Sequence, residues 1–397
     1  MVTSALGYGL IDADNHYYEP YDAFTRHLES RYADRSLHIR KRSDGLGQVY
    51  FGDTPCSFMR VTQSDYMGAP GALREFMDGI DDTQGFVMKD LINPHDFPAF
   101  MHKQARLDLM DQQGMDAMIL LPTLAVSVEH DMTRDVEALY ANLRSFNRWL
   151  EEDWGFGIDG RVFGVPMLSL LDLEPAIEEL ERVIAAGARM IHLNAGPCGG
   201  RSHAHPDFDP FWARAQEAGI VLSYHIAFSP YNELWSVQWG EPAWPAMQAQ
   251  SPLQWFFGHG DRPVMDSLAA LVLNNFFGRF PGMKVAALEY GGAWVEYLLY
   301  AMDHAAKFGR KGRWPGGRLE MKPSEVFKQH VYVAPYPEED PLELVGVLGA
   351  DQVLFGSDFP HAEGLAEPAE FGDKLVGLSE RDIRKVMRDN AAQLLKI

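Results

Sequence analysis

Short apolar runs alternate with longer amphipathic stretches along most of the chain, the pattern of repeated strand–helix units. The runs that read as strands are Tyr8–Ala13, Asp116–Leu121, Arg161–Leu168, Arg189–Ala195, Ile220–Ile226, Lys284–Tyr290, Val331–Pro335 and Gln352–Ser357. Helical periodicity fills the intervals Lys103–Gly114, Thr133–Trp154, Leu173–Gly187, Phe208–Gly219, Pro263–Phe277, Ala293–Phe308 and Pro341–Gly349. Gly114, Gly187 and Gly219 each close a helix just before the next apolar run, as C-terminal caps do. Eight strands alternating with helices predict an α/β chain folded as a (β/α)₈ barrel rather than an open doubly wound sheet. A Gly-rich dinucleotide fingerprint, which would favour the open sheet, is missing after the first strand.

Two stretches break the alternation. Residues 20–102 separate the first two strands and contain an extended segment, Leu37–Phe51, that reads as a hairpin. Residues 228–262 follow the fifth strand and hold Trp235, Trp239, Trp244, Trp255, Phe256 and Phe257. Loops this long in one domain serve as lids, interfaces or disordered segments, and the aromatic density argues against disorder. Residues 1–397 are therefore expected to form a single barrel domain with an insertion at 20–102 and an aromatic lid or interface loop at 228–262. A helical tail from Ser379 to Lys396 closes the chain.

Charge narrows the partners. With 56 acidic against 35 basic side chains the formal charge is −21, which repels nucleic acid and anionic membranes. Two cysteines, Cys56 and Cys198, make no disulfide framework, and neither a secretory leader nor an apolar run of membrane-spanning length is visible. The expectation is a cytoplasmic protein that acts on a small molecule.

Residues at the C-terminal ends of barrel strands share one mouth, so chemistry is sought there. In Asp12-Ala13-Asp14-Asn15-His16, alternation turns Asp14 and His16 the same way, an oxygen and an imidazole suited to a divalent ion. The fifth strand ends at His225 and the eighth at Asp358. Singly, His225 reads as a satisfied core histidine and Asp358 as a helix cap; jointly, the four read as a metal site. Glu289 after the sixth strand is a further ligand, a general base or a loop acid. His192 contacts substrate or fills core, His361 shuttles protons or ends a helix, and Arg201 holds a substrate carboxylate or is solvated. No lysine lies between Lys103 and Lys284, so the fourth strand offers none for a carbamate bridge between two metals, and one ion is expected.

These residues resemble the amidohydrolase superfamily, specifically the branch that includes aminocarboxymuconate-semialdehyde decarboxylase and the resorcylate decarboxylases. The matching pieces are Ile11 to Pro20, Arg106 to Asp116, Tyr224-His225, Gly356-Ser357-Asp358-Phe359-Pro360-His361 and Asn390-Ala391-Ala392. The resemblance implies a distorted (β/α)₈ barrel around one divalent ion. Asp14 then stands in the place of the family's first-strand His or Glu, while His16, His225 and Asp358 match the other ligands. It also implies a homodimer. One departure matters: decarboxylases of this branch place a histidine after the sixth strand, where this chain has Glu289. A carboxylate suits activation of water better than delivery of a proton. The expectation is accordingly a hydrolase acting through metal-activated water on a small aromatic or hydrophobic substrate, with Zn²⁺ first and Mn²⁺ second. Catalysis would fall to Glu289, Asp358 and His361. A non-oxidative carboxy-lyase is the alternative, and a non-catalytic ligand-binding barrel the third reading.

Overall fold

The computed structural model describes residues 7–58, 65–77, 90–227 and 230–397. Parallel strands form two ladders. In the first, β1 (Leu10–Tyr17), β2 (Met115–Pro122) and β3 (Val162–Gly164) lie side by side in that order. In the second, β4 (Met190–His192), β5 (Val221–His225), β6 (Lys284–Leu288) and β7 (Val331–Val333) follow one another. Helices Lys103–Gln113 (α1), Val136–Asp153 (α2), Leu173–Ala185 (α3), Asp209–Ala218 (α4), Asp261–Leu273 (α5) and Val295–Phe308 (α6) occupy the intervals. The result is a mixed α/β fold on parallel strands.

Both faces of the strands are buried, as parallel sheets require. Ile11, Ala13, Ala117, Ile119, Leu121, Val165, Val221, Ala286, Leu288 and Leu354 pack together on one face. Leu10, Met118, Leu120, Leu222 and Val285, one residue out of phase with them, belong to the layer shared with the helices. Ala391, Leu394 and Leu395 of the C-terminal helix join the first set.

Several expected boundaries move, each for a local reason. The first strand extends to Tyr17 and buries every residue, because its polar side chains bond one another. The third stops at Gly164, two residues before Pro166, which has no N–H for a ladder. The helix expected at Pro263–Phe277 breaks at Asn275, whose φ is 52°. A helix at Pro323–His330 (α7), which the pattern did not predict, precedes β7. The run Gln352–Ser357 is not a regular strand. It bridges β7 at Val353, the Ala13 amide donates to the Phe355 carbonyl at 2.9 Å, and a left-handed Asp358 (φ 55°) ends the extended path.

Between β1 and β2 the expected hairpin is present, with Leu37 opposite Phe51 and Lys41 opposite Gly47. It docks on α2, where the Asn142 carboxamide accepts from the Leu37 amide at 2.6 Å. Residues 59–64 and 78–89 of the stretch 20–102, and residues 228 and 229 of the aromatic stretch, lie outside the described residues. The remainder of the aromatic stretch carries short helices Tyr231–Leu234 and Pro252–Gly258, with Trp235, Trp239 and Phe256 exposed. It meets the first excursion where the Met247 amide donates to the Phe58 carbonyl at 3.2 Å. Among the described residues no helix is long and apolar enough to cross a membrane.

Arg106 on α1 is fully buried and pins β1. Its guanidinium donates to the Ala99 carbonyl at 2.6 Å, the His16 carbonyl at 2.8 Å and the Asn15 side chain. Arg106→Met keeps the stem but strands two buried acceptors and a partly buried one, each costly without a donor. The variant is expected to lose about 3 kcal/mol of stability, read from the urea midpoint. An unchanged midpoint would show that water replaces the guanidinium.

Candidate metal centre

The centre is built from Asp12 outward. Its carboxylate accepts from the Asp14 amide at 3.1 Å, the Ser357 amide at 3.0 Å, the Asn15 carboxamide at 2.9 Å and the Ser357 hydroxyl. These bonds tie the bulge between Asp12 and Asn15 to the chain after Phe355. Burial lifts the Asp12 carboxyl to about 6 against the pull of those donors. At Gly356 the backbones approach so closely that a Cβ would sit 2.7 Å from Asp14 Cβ. Asp14 and His16 therefore face a common point with Asp358 beside them.

Six side chains predicted from sequence meet there: Asp14, His16, His225, Glu289, Asp358 and His361. His16 Nε2 lies 3.2 Å from Asp14 Oδ1, 3.1 Å from His225 Nε2, 3.5 Å from Asp358 Oδ1 and 3.8 Å from Glu289 Oε2. His225 Nε2 is 2.8 Å from Glu289 Oε2 and 3.5 Å from Asp14 Oδ1. Donors 2.0–2.2 Å from one tetrahedral ion stand about 3.4 Å apart, close to this spacing. The chemistry of the donors agrees. His225 Nδ1–H donates to the Ile226 carbonyl at 2.8 Å, so once the ring gives up its second proton to an ion its Nε2 lone pair faces the centre. Glu289 Oε2 is buried and lacks an aligned hydrogen bond. These residues fit a divalent ion.

Burial pushes His16 down to about 3 and keeps it neutral. Burial also opposes charge on His225 and Asp14, but contact between them and with Glu289 wins, holding His225 high and Asp14 low. Glu289 and Asp358 are raised, by burial first. Both have left-handed backbones, φ 51° and 55°, which strand alternation does not anticipate and which functional sites tolerate.

A chain of hydrogen bonds adjoins the cluster. His361 Nδ1 is 2.6 Å from Asp358 Oδ1, and His361 Nε2 is 2.9 Å from Thr123 Oγ1. With the Thr123 hydroxyl donating to the Tyr17 carbonyl at 2.8 Å, His361 Nε2–H donates to Thr123. In that arrangement the 2.6 Å contact at Nδ1 is satisfied by a proton shared with Asp358. His361 also stacks on His16, with ring centroids 4.1 Å apart.

His192 lies behind His225, centroids 6.4 Å apart, with Nε2 on Asn194 at 2.9 Å. Arg201 is not brought to the centre: a tight Cys198–Arg201 turn and a 2.8 Å pair with Asp207 hold it away. Sequence reasoning missed Asp12, Thr123, Ser357 and the covering residues Phe58, Met247 and His259, which with His225, Glu289 and His361 line a cavity of about 70 Å³. Asp12 stood inside the first-strand motif, and its position two residues before Asp14 was the available signal. Nothing local marked His259.

Parallel strands that converge acids and imidazoles on one buried point define an α/β protein with a metal-ligand cluster. The chain belongs to the amidohydrolase family, whose profile matches residues 11–397. Gamma-resorcylate decarboxylase from Rhizobium sp. (strain MTP-10005) is 23% identical over 334 residues, covering 80% of this chain and 94% of that protein. An amidohydrolase from Mycobacterium avium subsp. paratuberculosis K-10 superposes with a TM-score of 0.89 at 35% identity, over 98% of this chain and 99% of that one. The 5-carboxyvanillate decarboxylase from Novosphingobium aromaticivorans DSM 12444, complexed with manganese, reaches a TM-score of 0.61 at 16% identity over 99% of this chain and 97% of its own.

Proposed function

We propose that the protein is a metal-dependent carboxy-lyase acting on a small aromatic acid that carries a hydroxyl beside its carboxylate. The observation that carries this reading is the 2.6 Å contact of His361 Nδ1 with Asp358 Oδ1, which sets a carboxyl–imidazole pair able to pass a proton beside the cluster. Decarboxylation needs a proton donor, and Glu289 in the sixth-strand position had favoured hydrolysis for want of one. His361 supplies it from another segment, and the names of the decarboxylase relatives support the same preference.

Asp14, His16, His225 and Asp358 would hold one divalent ion, with Glu289 as a fifth donor. Manganese is preferred to zinc because carboxylates weigh heavily in this set and a structural neighbour carries manganese. When bound, the ion supplies positive charge against the substrate carboxylate and phenol oxygen. His361 gives its proton to the ring carbon bearing the carboxylate. The C–C bond then breaks, its electron pair returns to the ring and CO₂ leaves. Phe58 and Met247 exclude water over the reacting ring.

The same reading takes the parallel segments as a distorted (β/α)₈ barrel in one domain, with the described parts of 20–102 and 228–262 as insertions that reach its mouth at Phe58, Met247 and His259. Parallel bridges support closure, the Leu168 amide donating to the His192 carbonyl at 3.0 Å and the Leu354 amide to the Val333 carbonyl at 2.9 Å. The exposed tryptophans suit the face of a homodimer, and the cytoplasm is the assigned location.

The test is incubation of manganese- and zinc-loaded protein with 2,6-dihydroxybenzoate and 5-carboxyvanillate in D₂O. The expected result is CO₂ release with one deuterium at the vacated carbon. Incorporation of ¹⁸O from labelled water into the product of an ester, amide or lactone, with no CO₂ from either acid, would overturn the proposal in favour of hydrolysis.

A further inference from the structure

A second cavity, of about 280 Å³, opens among the segments that follow β2, β3 and β4. It shares no lining residue with the smaller cavity at the metal centre. We propose that it is a separate binding site for an uncharged, single-ring aromatic molecule with a hydroxyl group, of the phenol class.

The walls set the size and polarity of the occupant. Leu170, Leu193, Ala195, Pro197 and Leu234 supply apolar surface, the lining that small-molecule sites favour around a few placed polar groups. Three of those groups, Glu129, Ser169 and His203, are buried on different segments. His203 is fixed by the Tyr224 hydroxyl, 2.7 Å from its Nδ1. At the rim, His130 stacks on Trp244 with centroids 4.4 Å apart. Such a lining offers a hydroxyl both acceptors and donors, and a ring flat apolar contact.

Charge decides against an acid. Neither lysine nor arginine is among the described lining residues. Arg201 belongs to the adjoining cavity and is paired with Asp207. Burial lowers both His130 and His203 to about 4, so they are neutral at ordinary pH. Burial raises Glu129 to about 7, so at neutral pH it supplies at most a hydrogen bond; a carboxylate beside it finds no cation to compensate its desolvation, whereas a phenol brings no charge. This site therefore differs in ligand class from the metal centre, and it does not depend on the reaction assigned there.

The experiment uses the metal-loaded protein, with a cavity-filling variant as the reference, so that chelation at the metal centre is common to both and cancels. Phenol and benzoate are titrated into each by calorimetry. Phenol is expected to bind the native chain with a Kd below about 1 mM. Any benzoate binding should be the same in both proteins. Ala195→Leu, which fills the cavity, is expected to weaken phenol binding about tenfold. Leu234→Trp, at the half-exposed rim, gives the same test if Ala195→Leu fails to fold. Absence of phenol binding, benzoate binding that the filling variant weakens as much as phenol's, or unchanged phenol affinity in a folded filling variant would each overturn the proposal. Loss of decarboxylase activity alone would leave it standing.

Discussion

His225→Ala protein purified without added metal is expected to contain less than about one tenth of an equivalent of manganese or zinc, where the native chain holds about one. The expectation follows from geometry. His225 Nε2 stands 3.1 Å from His16 Nε2 and 3.5 Å from Asp14 Oδ1, and its tautomer is set by the Ile226 carbonyl. Alanine removes a preoriented lone pair on which the other donors converge. Losing a mere outer partner of a ligand already weakens metal affinity about 10–100-fold, so losing the ligand should exceed that. Asp14→Ala should behave alike, whereas Arg201→Ala should keep its metal. Stripping the native protein with a chelator should lower its Tm, because an ion bound only by the folded state stabilises it by mass action. The same treatment of His225→Ala should move Tm little. Mass spectrometric metal analysis decides the first point: a full equivalent in His225→Ala would remove this histidine from the ligand set.

The elements and the centre were unequally legible in the sequence, for physical reasons. Helices such as Leu173–Ala185 and strands such as Lys284–Leu288 write their burial into local periodicity, so their positions could be read directly. The first strand could be placed but not bounded. Asp12, Asn15 and His16 look like a polar turn, yet they are buried because Arg106 and Ser357, distant in sequence, satisfy them. The segment after Gln352 misled in the opposite way: its apolar pattern is that of a strand, but it bonds its neighbours at isolated points. Candidate ligands were readable because acids and imidazoles at the ends of apolar runs are costly unless used. The cover was not readable. Phe58, Met247 and His259 reach the cavity through long excursions whose course no local pattern fixes. Glu289 shows the middle case: its position at the strand end was evident, but its approach to within 2.8 Å of His225 depends on a left-handed backbone that no residue type announced.

His361→Ala should separate proton delivery from metal binding. If His361 is the donor, the variant keeps about one equivalent of metal but its kcat for decarboxylation falls by about 10²–10⁴-fold, the usual contribution of a positioned acid. KM should change far less, since the ring loses a proton source rather than a binding contact. The chain of hydrogen bonds makes a graded series possible. Thr123→Val removes the acceptor 2.9 Å from Nε2 but leaves the Asp358 contact, so it should cost only about tenfold. Asp358→Asn should lose both metal and rate, because this carboxylate faces His16 Nε2 at 3.5 Å as well as His361. Two results would sink the assignment. If His361→Ala loses metal in parallel with activity, His361 is a ligand and the proton comes from elsewhere. If it keeps metal and full rate, with deuterium still delivered from D₂O, then Glu289 beside His225 becomes the group that must carry the proton, and its place just after β6 would do the work of the histidine it replaces.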